Sequence, residues 1–194
     1  MGRKAGVAAE DTRAALLSAA ARAFSRRGYD GASISEIASD AGLTSGAIYA
    51  HFASKAELFV ATLRAYGERD LDQVLGRPPA ELLEAVTSLG SSFDHPEPTE
   101  ASLLVSAIIA ARNDRQVAAL IADLLADRED NFVALVEKGQ AAGVITGDVS
   151  AAALSRLSLI ITMGSLVVGA MELQPVDHGD WAAVIDRVVR AFGS

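Results

Sequence analysis

The segment from Ser33 to Phe52 constrains the fold of this chain more than any other stretch. Two short runs flank Gly42-Leu43, and each opens on a hydroxyl residue suited to cap a helix, Ser33 and Thr44. Ser33-Ile34-Ser35-Glu36 has the form of a capping box, serine and glutamate three apart satisfying the orphan amides at a helix start. Ile34, Ile37, Ala38 and Ala41 then recur at i, i+3, i+4 and i+7, the spacing of one buried helix face, and Gly42 provides the stop. Beyond Thr44, Ile48 and Phe52 lie four apart and predict a second inward face. Helix, glycine turn and short helix together have the dimensions of a helix-turn-helix.

The same punctuation extends to both sides. A first helix is expected from Thr12, as its cap, to about Arg27, with Leu16, Ala20, Ala23 and Phe24 inward and Gly28 at the C′ position. Ser54-Lys55-Ala56-Glu57 is a second capping box and predicts a fourth helix through roughly Val74. Gly76-Arg77-Pro78-Pro79 is the clearest break; past it, helices are expected near 80–93, 100–111, 115–141, 150–172 and 180–192. Abundant alanine and only five prolines favour helices over strands. The expected fold is all-α, about nine helices, with a three-helix head carrying the helix-turn-helix and a helical-bundle body. The division of labour is placed at residues 1–54 and 55–194.

With Ile48 and Phe52 inward, the opposite face of the short helix presents Ser45, Gly46, Tyr49 and His51. Small residues first and polar rings later suit the groove of a duplex, and the free amides near Thr44 suit a phosphate. Lys55 adds a cation beside the next set of free amides. Geometry alone leaves a second possibility open, since capped helices around a glycine also occur in helical proteins that never meet DNA. The overall charge of −8 is unevenly spread: residues 1–64 carry eight basic and six acidic side chains, while the remainder carries nine basic and nineteen acidic. The acidity belongs to the body, and a mildly basic head permits a polyanionic partner.

Other functions find little footing. There is no cysteine, which removes disulfides, thiolate metal sites and a cysteine nucleophile. None of His51, His95 and His178 follows a glutamate by three residues, and neither Gly-x-Ser-x-Gly nor His-Glu-x-x-His occurs. The expectation is a protein that is not an enzyme and carries no cofactor or metal. Met1 to Ala9 lacks the apolar centre of a signal peptide, so a cytoplasmic location is expected. Leu157 to Met171 is strongly apolar but shorter than the roughly 18 to 20 residues of a membrane span, and is read as a buried helix at a subunit interface.

The residues of the head carry a resemblance. The run Thr12, Ala15-Leu16-Leu17-Ser18-Ala19-Ala20, Phe24-Ser25-Arg26-Arg27-Gly28-Tyr29 is followed by Ser33-Ile34-Ser35-Glu36-Ile37-Ala38 and Ala41 through Tyr49. His51-Phe52-Ala53-Ser54-Lys55-Ala56-Glu57-Leu58-Phe59 completes it. In order, spacing and residue type this resembles the DNA-binding head of TetR-type transcriptional regulators, over about the first third of the chain. The resemblance implies base contacts at Ser45, Gly46 and Ala47, and phosphate contacts at Ser33, Thr44, Tyr49, His51 and Lys55. Ala50 departs from it, standing where many relatives place an aromatic residue. Arg3 and Lys4 are either a minor-groove arm or a disordered basic start.

For the body the resemblance implies a small-molecule pocket and a homodimer interface. Leu157, Ile160, Ile161, Gly164, Val167 and Val168 make one helix apolar on too many sides for a free surface. Trp181, Val184, Ile185 and Val188 offer a second stripe, and pairing both with symmetry mates gives a four-helix interface; the alternative is the core of a larger monomer. Tyr66, Leu89, Phe93, Leu104, Ile108, Arg112, Leu124 and Met163 are the candidate pocket residues, each also explicable as ordinary core or, for Arg112, as a helix-end cation. The function so implied is a repressor released from operator DNA by a small hydrophobic ligand. A ligand-dependent activator, or a ligand-sequestering protein without an operator, would use the same parts.

Overall fold

The computed structural model describes residues 2–67, 77–93, 97–171, 173–174 and 176–193, the side chains of residues 2–11, 79 and 89 excepted. Among the described residues the chain is helical throughout: α1 (Gly2–Gly31), α2 (Ile34–Asp40), α3 (Ser45–Tyr49) and α4 (Lys55–Gly67) come first. A 3₁₀ turn (Pro79–Glu81) then leads into α5 (Leu82–Ser91), followed by α6 (Pro98–Asn113), α7 (Arg115–Ala141), α8 (Ala151–Ala170) and α9 (His178–Arg190). Among the described residues the only pairing of β type is an isolated antiparallel bridge between Ile145 and Gly193. The expected all-α class is therefore observed.

The elements form two compact units. The first comprises residues 1–66 and 102–123, the second residues 67–101 and 124–194. The unit containing the helix-turn-helix is thus larger than residues 1–54. It takes in α4 through Tyr66, most of α6 and the first turns of α7.

In the first unit the core is built from Leu16, Phe24, Ile37, Ile48, Leu58 and Phe59, all fully buried, together with Leu103 and Val117. Phe24 and Phe59 meet edge to face at 4.8 Å between ring centroids, a favoured aromatic geometry. The helix stops fall where glycine allows them. Gly28 has φ +69° and breaks α1 into two segments, and Gly42, also at φ +69°, ends α2. Ser33 Oγ accepts from Glu36 N at 3.2 Å and Thr44 Oγ1 accepts from Ala47 N at 3.2 Å, so both expected caps are made. At the start of α4, Ser54 Oγ accepts from Glu57 N at 3.1 Å while the Glu57 carboxylate reaches back to Ala53 N at 2.8 Å.

Two boundaries differ from the expectation, and a third is not described. Thr12 does not cap α1, whose backbone is helical from Gly2; alanines at positions 5, 8 and 9 leave nothing to stop the helix there. The helical stretch thus includes Arg3 and Lys4. α3 ends at Tyr49, three residues before Phe52, although Phe52 still packs inward at 5% exposure. The expected continuation of α4 to Val74 lies outside the described residues.

The second unit packs α5 against α7, α8 and α9. Leu82 and Leu135 form one buried cluster with Val86 and Phe132, and Val136, Ile145 and Ala151 form another with Leu83 and Leu154. Trp181 Nε1 donates to Gly90 O at 3.0 Å. The apolar run from Leu157 lies in a helix of 20 residues with mean hydropathy 1.8, which, against expectation, is long and apolar enough to cross a bilayer by length and composition. Within that helix Arg156 makes a two-pronged bond to Glu129 of α7, at 2.9 and 2.8 Å. A charged pair a turn and a half from the helix start is poorly suited to a hydrocarbon core.

Candidate nucleic-acid interface

The recognition geometry begins with what α3 buries. Ile48 is fully buried, which turns the next residue outward: Tyr49 is 54% exposed. Thr44, Gly46, Ala50 and His51 are exposed beside it, and Ser45 and Ala47 are half-buried. A Cβ at Gly46 would meet nothing closer than Thr44 Oγ1 at 3.9 Å, so the surface over this turn is open. The face is flat and small at its N-terminal end, with Tyr49 projecting from it.

Ser33 and Thr44 are both exposed, but their hydroxyls already serve the helix starts as acceptors. A hydroxyl accepting from an amide keeps its own proton to donate, so capping is compatible with a phosphate contact. Around this face, cations hold the helices together. Arg22 pairs with Asp40 at 2.8 Å and Arg27 with Glu36 at 3.0 Å, tying α1 to α2. These pairs are solvent-exposed, so their effect is mainly to orient. Arg13 stacks over the Phe52 ring at 5.1 Å.

Lys55 is held rather than free-swinging. Its ammonium lies 4.6 Å from the centroid of the Tyr29 ring and donates to Asp30 O at 3.4 Å. Partial burial lowers its pKa, with Asp30 opposing the shift. Tyr29 is itself fixed from two directions. Its backbone amide donates to Ser106 Oγ at 2.9 Å, and its phenol donates to Asp114 at 3.4 Å. Burial first, and then the Asp114 carboxylate, push the phenol up to about 12. Gln116 Nε2 adds a bond to Ser54 Oγ at 3.3 Å, next to Lys55. Sequence reasoning missed Tyr29, Ser106, Asp114 and Gln116 as supports of the site. The one local hint was an aromatic residue placed directly after the helix-ending Gly28.

The remaining candidate residues are placed as follows. Of the pocket set, Tyr66, Leu104, Ile108 and Arg112 belong to the first unit, with Ile108 and Arg112 exposed. Phe93, Leu124 and Met163 belong to the second, and the side chain of Leu89 lies outside the described residues. On the candidate interface, Ile160 is 60% exposed, Val184 52% and Val168 48%. Leu157, Gly164 and Val188 are exposed as well, and Ile161, Val167 and Trp181 are half-buried. Ile185 departs from the expectation: it is buried within its own unit over Gly90, where an added Cβ would come within 2.8 Å of its Cγ2. The stripe on α9 is wide enough to serve two sides, and Ile185 lies on the inner one.

Comparison with known proteins agrees with this geometry. The family model described as "Bacterial regulatory proteins, tetR family" matches residues 16–62, from the middle of α1 into α4. The HTH-type transcriptional regulator UidR of Escherichia coli (strain K12) is 29% identical over 165 residues, 81% of each chain. The HTH-type transcriptional repressor BepR of Brucella suis biovar 1 is 32% identical over 117 residues, a match spanning 59% of this chain but only half of BepR. Among solved structures, GusR of Salmonella enterica superposes with a TM-score of 0.73 at 25% identity, covering 93% of this chain and 94% of GusR. The helix-turn-helix is thus similar in sequence to TetR-type regulators, and the whole length shares the fold of GusR.

Proposed function

We propose that this regulator is a repressor that binds operator DNA as a homodimer and is released by a small hydrophobic ligand. The observation that carries the reading is α3: a capped helix with Ile48 buried, Tyr49 and His51 outward, and Lys55 beside it. Residues 1–54 are assigned to DNA, with Ser45, Gly46 and Ala47 toward bases and Ser33, Thr44, Tyr49, His51 and Lys55 toward phosphates. Residues 55–194 are assigned to ligand binding and dimerisation, in a protein working in the cytoplasm.

The dimer is supported by the apolar surface left on one subunit. Ile160 and Val168 on α8, with Val184 and Val188 on α9, are 40% to 60% exposed, an apolar exposure that marks an interaction surface. A second copy covering it would set two recognition helices about 34 to 36 Å apart, one turn of duplex. The ligand acts by preferring the form in which that spacing is lost, and only its difference in affinity between the two forms moves the equilibrium.

The test is a titration of the purified protein against labelled DNA from upstream of its own gene, at two salt concentrations and with excess competitor. Tight, salt-sensitive binding that fails in a Tyr49→Ala, Lys55→Ala variant is expected. Failure there and in a genome-wide operator selection, with folded dimer in hand, would sink the reading. The sign is checked by a reporter: deletion of the gene should raise transcription of its target, and a fall would replace repression by activation.

A further inference from the structure

The second unit contains a half-open apolar pocket of about 120 Å³ between α5, α7, α8 and α9. Val86, Phe132, Val136, Ile161, Val188 and Phe192 are among its walls, and Ser158 is the only polar residue in a lining of thirteen. None of the described residues suggested by sequence as a pocket lines it.

The walls at one end are fixed. Ile145 sits on Gly139 so closely that a Cβ there would lie 2.6 Å from its Cδ1. The side-chain amide of Gln140 donates to Thr146 O at 2.8 Å and Val149 O at 2.9 Å, pinning the turn that carries Ile145. Thr146 N donates to Phe192 O at 2.8 Å, which ties the end of α9 to the same turn. Walls held by hydrogen bonds keep the space from closing up. Apolar voids of about 150 Å³ exclude water and accept guests of benzene size. The half-buried Ser158 hydroxyl, the one polar group in this lining, makes no hydrogen bond to another described residue.

We propose that this cavity is the effector site, and that it takes a compact, uncharged, single-ring molecule with at most one hydroxyl, phenol being the simplest case. A hydrocarbon ring fills the void, and one hydroxyl meets Ser158. A charged molecule would leave its hydration without a partner inside, and a second ring exceeds the volume. Leu157 and Val188, 39% and 40% exposed, line the cavity and also stand on the face assigned to the second subunit. Ligand binding and dimer formation are therefore thermodynamically linked. Binding stands without the regulator reading; only the word effector rests on it.

The experiment is isothermal calorimetry of the full chain, without DNA, against phenol, toluene, 2-naphthol and benzoate. Phenol should bind saturably at one site per chain and toluene several-fold more weakly, about the two- to tenfold worth of one hydrogen bond. 2-Naphthol and benzoate should give no saturable heat. Ser158→Ala should bring phenol down to the level of toluene and leave toluene unchanged. Val86→Phe should fill the space and lose phenol at least tenfold, with Ile161→Phe replacing it if that variant does not unfold cooperatively. Absence of saturable phenol binding, tighter binding of 2-naphthol, or an unchanged phenol-to-toluene ratio in Ser158→Ala would each overturn the assignment. Phenol that binds here yet leaves operator affinity unmoved would show a site that is not the effector's. A protein that fails to bind DNA leaves the calorimetry intact, so the two readings fail separately.

Discussion

The ammonium of Lys55, at the first turn of α4, lies 4.6 Å above the ring of Tyr29, just past the break in α1 at Gly28. A flexible lysine is thereby given a fixed starting position close to the surface assigned to DNA. The ring that holds it is in turn bonded to Asp114, 85 residues further along the chain.

Removing the charge and removing its seat should have different effects. Lys55→Met is expected to weaken operator binding across all sequences alike and to lower the salt slope by about one, the signature of one lost phosphate contact. Tyr29→Phe keeps the ring and should leave that slope unchanged. Its cost should appear in urea unfolding instead, about 1 kcal/mol for a lost hydrogen bond to a carboxylate. A changed slope in Tyr29→Phe would mean that the hydroxyl, and not the ring, positions Lys55.

Tyr29 also predicts a dependence on pH. Its pKa is raised from 10.0 to about 12 in the fold, so the folded state retains a proton that the unfolded chain gives up. This contribution to stability is complete below pH 10 and is lost as pH rises toward 12. Lys55, lowered by burial, acts in the opposite sense, so the comparison is best made in a Lys55→Met background. Unfolding measured between pH 9 and pH 12 should show a steeper loss with Tyr29 than with Tyr29→Phe; equal slopes would refute the shift.

Two glycines should fail on substitution for different reasons. Gly28 has φ +69° but room for a side chain, the nearest atom being Ser106 Oγ at 3.7 Å. Gly28→Ala should therefore cost about 1 to 2 kcal/mol through its backbone. Gly90 has ordinary helical geometry, but its Cβ would clash with Ile185 at 2.8 Å. Gly90→Ala should cost about 1 to 3 kcal/mol by overpacking, and a partner change of Ile185→Ala, which removes the clashing Cγ2, should relieve that part of the cost. Additive costs in that double variant would exclude the contact as the cause.

The outer faces of α8 and α9 provide a test of assembly. Ile160→Asp with Val184→Asp places charge on two of the most exposed apolar residues. Sedimentation should show a folded monomer, with operator affinity reduced at least a hundredfold because two half-sites are no longer bound together. A variant that remains dimeric would move the interface elsewhere.

The all-α class, the helix-turn-helix and both caps around it were legible from the sequence alone. Each depends on interactions within a few residues: Ser33 with Glu36, Thr44 with Ala47, Gly28 and Gly42 at positive φ. Such signals are written in the order of residues because their partners are adjacent in it. Tertiary structure decided what periodicity could not. It turned Ile185 inward on a helix whose apolar stripe also leaves Val184 and Val188 exposed, and it brought Asp114 and Ser106 to Tyr29 across more than 75 positions. It also left a void walled by Val136, Ile161 and Phe192, residues that sequence marks only as apolar. An apolar side chain carries no label for the particular neighbour it meets. Whether it closes a core, lines a cavity or waits for a second subunit depends on how the helices pack, and that is set by the sum of many weak contacts distant in the chain.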